Sequence, residues 1–167
     1  MEQERSKEVV FISECLVNQN IRAYGVKNMK GQGPVREIVE ELARNGIGFD
    51  VVPCTEYLWE GLKRRACGRR HYDVPEYRKI CREVAEKVVE KYKAYLDDGY
   101  KVKGYIAVEG SPSCAVVAAV GSDLPGVFIE ELKKELRKNN LELPFIGAKM
   151  FRLHETLSEI RRKITYH

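Results

Sequence analysis

The chain of 167 residues has no apolar run approaching the roughly 20 residues that a membrane-spanning helix needs. It starts Met1-Glu2-Gln3-Glu4-Arg5-Ser6-Lys7-Glu8, a charged stretch without the apolar core of a secretory signal, so a cytoplasmic location is expected. There is no internal repeat and no low-complexity tract. No Cys-x-x-Cys pair occurs among the five cysteines, which argues against a zinc ribbon or a ferredoxin-type site. Charge of one sign is also scarce: a net charge of +4 does not by itself argue for a nucleic-acid partner. What is present is a globular composition, 44% apolar and 32% charged, in a length suited to one domain spanning 1–167. Residues 1–7 and 165–167 are expected to fray.

Four short apolar runs read as strands: Glu8 to Ser13, Gly48 to Val52, Lys103 to Val108 and Pro144 to Ala148. Between them, Val35, Ile38, Val39 and Leu42 form a helical stripe opened by Pro34 and stopped by Asn45-Gly46. Asp73 and Pro75 open a longer helix to Asp98, with Tyr77, Ile80, Cys81, Val84, Val88 and Tyr92 inward. A third helix, Pro125 to Lys138, buries Phe128, Leu132 and Leu136, and the tail from His154 to Ile164 repeats helical spacing. Leu16 to Gly33 reads as a long loop. So does the aromatic and basic stretch from Thr55 to Val74, a length that suggests a lid or binding loop. Alternating strands and helices predict an α/β fold: one Rossmann-like parallel sheet of about four strands flanked by helices. In such a sheet all strand C-terminal ends share one edge, where ligands bind.

Three cysteines sit at that edge. Cys15 follows the first strand, Cys54 follows the second, and Cys114 closes the turn Val108-Glu109-Gly110-Ser111-Pro112-Ser113-Cys114 after the third. Soft thiolates select iron–sulfur clusters, zinc or copper(I), and a set of three leaves a metal position open. Free cysteine is also ordinary core filling, so both readings stand for these three; for Cys81, on an inward stripe, core is the better reading. Cys67 lies among the arginines of the basic stretch Lys63 to His71, which reads either as solvated or as a phosphate contact. Glu56 is placed to shuttle a proton or to cap, and Ser111 to touch substrate or to bond the turn backbone. Glu14 and Glu109 share that ambiguity.

Ser111-Pro112-Ser113-Cys114, Pro53-Cys54-Thr55-Glu56 and Cys15-Leu16 together resemble the 2-thiouracil desulfurase family, over about residues 9–146. Cys15-Leu16-Val17-Asn18-Gln19-Asn20 and Tyr72-Asp73-Val74-Pro75-Glu76-Tyr77-Arg78 resemble its desulfurase-related desulfidase subgroup most closely. The resemblance implies a 4Fe–4S cluster on Cys15, Cys54 and Cys114, exposed enough for air to strip. It implies a thiocarbonyl substrate, with Glu56 and Ser111 in proton transfer and substrate orientation. A thiolated nucleobase, nucleoside or tRNA base would fit. Thr55 stands where the family has proline, Ala115 where it has glycine, and Ile21 where its main branch has a further cysteine. The ligand set is therefore implied, and thiouracil itself is not. Two other readings remain: a non-catalytic cluster or metal module for sensing or sulfur transfer, and a metal-free nucleotide-type binder.

Overall fold

The computed structural model describes residues 4–27, 29 and 31–166. Expected fraying at 1–3 and 167 lies outside the described residues. Four strands, β1 (Glu8–Ser13), β2 (Gly48–Val52), β3 (Lys101–Val108) and β4 (Phe145–Ala148), form one sheet in the order β2-β1-β3-β4. Every pairing is parallel. The helices are α1 (Glu14–Val17), α2 (Arg36–Arg44), α3 (Thr55–Glu60), α4 (Arg69–Tyr72), α5 (Pro75–Asp97), α6 (Val127–Lys138) and α7 (Leu153–Ile160). The fold is a single α/β domain with a Rossmann-like sheet, as its alternation predicts. None of its helices is long and apolar enough to cross a membrane, among the described residues.

Period-two alternation along the strands separates two apolar layers. Phe11, Tyr105 and Ala107 meet α5 and α6 on one face, while Val10, Ile12, Ile106 and Val108 meet α2 and α7 on the other. The inward stripe of α5 follows the spacing at Tyr77, Cys81, Val84, Val88 and Tyr92, which are buried, but not at Ile80, which is only half-buried; Cys81 is core. From β1 the chain steps outward to β2, then returns to the far side of β1 as β3. Strand order thus reverses beside β1, and the crevice between β1 and β3 is the switch point where parallel sheets bind ligands. Cys15 and Cys114 follow the two strands that border it.

Several local expectations need correction. The stretch from 55 to 74 is not an open lid: α3 and α4 form within it. Arg69 pins α4 by donating to the Pro125 carbonyl at 2.7 Å and to Asp73 at 2.8 Å. Asp73 is not the cap of α5, whose N-cap is Val74. Its carboxylate instead takes Arg78 at 2.7 Å, and these bonds, led by Arg78, hold its pKa below the usual carboxylate range. Residues 16–33 are not all loop, since α1 and a 3₁₀ turn at Gln19–Ile21 occupy the first part. The last helix continues as a π turn over Arg161–Thr165, so Thr165 is buried rather than frayed.

Candidate functional site

Each cysteine owes its position to a strand end. Cys15 is the second residue of α1, Cys54 is the N-cap of α3, and Cys114 lies in the turn beyond β3. That turn has a built framework. The Ser111 hydroxyl accepts from the amides of Ser113 at 3.2 Å and Cys114 at 3.1 Å, which are its bonds to the turn backbone. The start of α6 closes over it: Val127 N–H donates to the Pro112 carbonyl at 3.1 Å and Ile129 N–H to that of Ser113 at 3.2 Å. Gly126 must be glycine there, because a Cβ would land on the Ser113 carbonyl and the Cys114 amide.

Glu109 holds the next loop. Its carboxylate accepts from the amides of Val116 at 3.1 Å, Val117 at 3.2 Å and Ala118 at 3.0 Å, and Gly147 leaves room for it where a Cβ would collide. Backbone bonds to a charged acceptor are worth about 1.5–3 kcal/mol each. Glu109→Gln keeps one acceptor oxygen and loses the charge, so we expect it to destabilise the chain by about 2 kcal/mol. Urea unfolding measures this; an unchanged midpoint would show that the loop holds itself.

A hydroxyl relay ties the Cys54 and Cys114 turns together through α5. Thr55 and Tyr77 share a hydrogen bond of 2.6 Å, and Tyr77 donates to Ser113 at 2.6 Å, which leaves Thr55 as the donor to Tyr77. Thr55 adjoins Cys54 and Ser113 adjoins Cys114. Below them Ser13 and Tyr105 face each other at 3.4 Å between oxygens.

The thiols converge. The Cys15 pKa is pushed up to about 12, first by burial and then by charge on Cys54, with Arg22 opposing. Cys114 is raised by burial, then by Cys15, Cys54 and Glu56. Cys54 is raised by burial and then by Glu56, while Arg64 and backbone N–H groups oppose. Three residues nearly 100 positions apart in the chain therefore feel one another's charge. Cys67, by contrast, is exposed.

All three are neutral thiols in the metal-free fold at neutral pH. Unfolded thiols ionise near about 8.5, so the unfolded chain releases protons at a pH where the folded chain retains them. The stability this represents is whole below that pH and is lost as pH rises toward the raised folded values. We expect the urea midpoint of the metal-free chain to fall steadily above about pH 8.5. Replacing Cys15 and Cys114 by alanine should flatten that slope; a slope untouched by both would assign it to other groups.

Arg64 is the residue that sequence reasoning missed. Inside the run Lys63-Arg64-Arg65 it alone is buried, its side chain 4% exposed. It donates to the Ile21 carbonyl at 2.8 Å and the Gly61 carbonyl at 3.0 Å, lies 3.6 Å from the Cys54 sulfur, and pairs with Glu56 at 3.4 Å. Glu56 is thus beside a guanidinium that also faces the Cys54 sulfur.

The chain is similar to an uncharacterized protein of Methanocaldococcus jannaschii, 29% identical over 137 residues, which are 82% of this chain and 83% of that one. No family model matches the chain, and no solved structure does.

Among the described residues, no three His, Cys, Asp or Glu side chains are gathered to hold one metal ion. A single ion needs its ligands within about 2.3 Å of one point. A cluster instead would take each cysteine at its own corner, so it does not require the three sulfurs to surround one point. The donor chemistry suits a cluster: sulfur ligands, with the Arg64 guanidinium near one of them to oppose their charge.

Proposed function

We propose that the chain is an iron–sulfur-dependent desulfidase that removes sulfur from a thiocarbonyl compound. The observation that carries this reading is the convergence of three strand-end thiols beside a carboxylate and a buried guanidinium. Cys15, Cys54 and Cys114 would hold a 4Fe–4S cluster. When bound, it supplies an iron with an open position, a soft Lewis acid matched to sulfur.

The net reaction is hydrolysis, C=S and water giving C=O and hydrogen sulfide, with no change of oxidation state. Water oxygen bonds to the thiocarbonyl carbon, the carbon–sulfur bonds break, and both water protons leave with the sulfur. Glu56, 12% exposed at the site, is the group placed to take a proton from that water. The Ser111 hydroxyl proton is used in neither of its turn bonds, so it can donate to the substrate. Arg64 opposes the negative charge that gathers on sulfur as its bonds to carbon break.

Exposed Lys63, Arg65 and Arg70 suit a substrate that carries phosphate, such as a thiolated nucleotide or a tRNA base. The cytoplasm, where free thiols persist, suits the cysteines. Anaerobic loading with iron and sulfide tests the proposal, followed by assay of sulfide release from a 2-thiopyrimidine. Glu56→Gln is expected to retain iron and to lose about 100-fold or more in kcat. A loaded chain that releases no sulfide from thiocarbonyl compounds would favour the sensing or sulfur-transfer reading. A chain that takes up no iron would favour the metal-free binder.

A further inference from the structure

Tyr77 has no exposed surface, and its two hydroxyl partners, Thr55 and Ser113, are each 1% exposed. Phenylalanine would serve packing alone at such a position, because a buried hydroxyl is a cost until it is bonded. The Tyr77 hydroxyl is bonded twice. It accepts from Thr55 and donates to Ser113, both at 2.6 Å. Its one proton and one lone pair are thus committed to two turns far apart in the chain.

That hydroxyl is carried on a firm mount. The ring lies 5.2 Å from Trp59 and 5.0 Å from Tyr72 between centroids. The next residue, Arg78, bonds Asp73 at 2.7 Å and reaches α6 at Glu130, 3.0 Å away, and Glu131, 2.7 Å away. The stretch from Tyr72 to Arg78 therefore fixes the start of α5 against α6, and Tyr77 extends the support to both cysteine turns. On one side it meets Thr55, the first residue of α3, next to Cys54. On the other it meets Ser113, next to Cys114, whose carbonyl Ile129 of α6 also holds at 3.2 Å. Cys15, in α1, has no part in this relay.

We propose that Tyr77 is a positioning residue for Cys54 and Cys114: its hydroxyl fixes the two turns, and with them the two thiols, relative to each other. The brace itself belongs to the metal-free fold. Its consequence for iron rests on the desulfidase reading.

The test uses the full metal-free chain, kept reduced, with iodoacetamide alkylation followed cysteine by cysteine by mass spectrometry. In Tyr77→Phe, Cys54 and Cys114 are expected to react about tenfold faster than in the wild type, with Cys15 unchanged. General loosening would instead speed Cys15 and the core Cys81 by the same factor, and that result overturns the proposal. Rates equal to the wild type overturn it too. Thr55→Ser keeps the donor and should react as the wild type does. Thr55→Val keeps the shape without the donor, so it should speed Cys54 and add nothing in a Tyr77→Phe background. Should Tyr77→Phe not fold, equal Cys54 rates in Thr55→Val and Thr55→Ser overturn the relay.

Loaded with iron and sulfide, Tyr77→Phe is expected to bind the wild-type amount and to lose it to a chelator about tenfold faster, with Thr55→Ser like the wild type. Equal release from Tyr77→Phe overturns the role toward iron. If the wild-type chain takes up no iron, the desulfidase reading falls, while the alkylation rates still decide the brace.

Discussion

Cys54→Ala, prepared without oxygen and supplied with iron and sulfide, is expected to bind less than one iron per chain, against about four for the wild type. Three ligands are the fewest that leave a single open corner, so removing one releases a second iron to solvent. Cys54 is also the N-cap of α3, and its sulfur lies 3.6 Å from a terminal nitrogen of Arg64. The broad visible absorption of the loaded chain should vanish with the iron. Two controls separate ligation from general damage. Cys67→Ala alters an exposed residue, and Cys81→Ala a core residue on α5; both should retain iron. Cys81→Ala should lower stability instead, through the cavity it leaves. Wild-type iron content in Cys54→Ala would falsify the ligand assignment.

The sheet was readable because its signals are local. Ser13 and Val52 end their apolar runs where β1 and β2 end, and the parallel topology then follows from alternation and handedness. The place of Cys15, Cys54 and Cys114 beyond the ends of parallel strands follows from that topology, so it was legible too. Arg64 was not, because the run Lys63-Arg64-Arg65 gives no periodicity that says which side chain turns inward. The structure decides it through carbonyls at Ile21 and Gly61, one of them 43 residues away. Short helices were missed for a related reason. Neither α3 nor α4 has a side-chain cap, and neither is long enough to show a helical period. Asp73 looked like a cap because its position before Pro75 is the usual one, but two arginines compete for it and win, a charge-assisted bond being stronger than a cap. Glu109 misled in the opposite sense: its carboxylate is consumed by three amides, which only the folded loop supplies.

Arg64→Leu is expected to cost about 3–5 kcal/mol, the range for removing one partner of a buried ion pair. With a typical urea slope of about 2 kcal/mol per molar, the midpoint should fall by roughly 2 M. Three losses combine. The Ile21 and Gly61 carbonyls lose their donor, and the Glu56 carboxylate, 12% exposed, is left without its guanidinium. Leucine restores only the packing of the side-chain stem. Two comparisons make the cause visible. Arg65→Leu changes an exposed neighbour and should stay within about 0.5 kcal/mol of wild type. Adding Glu56→Gln to Arg64→Leu removes the stranded charge, so it should recover part of the lost stability even though it deletes a second polar group's charge. If the double variant is instead less stable than Arg64→Leu by the full cost of Glu56→Gln alone, the two side chains are not coupled. Arg64 would then hold the backbone only, and its place beside the Cys54 sulfur would carry no charge-balancing role.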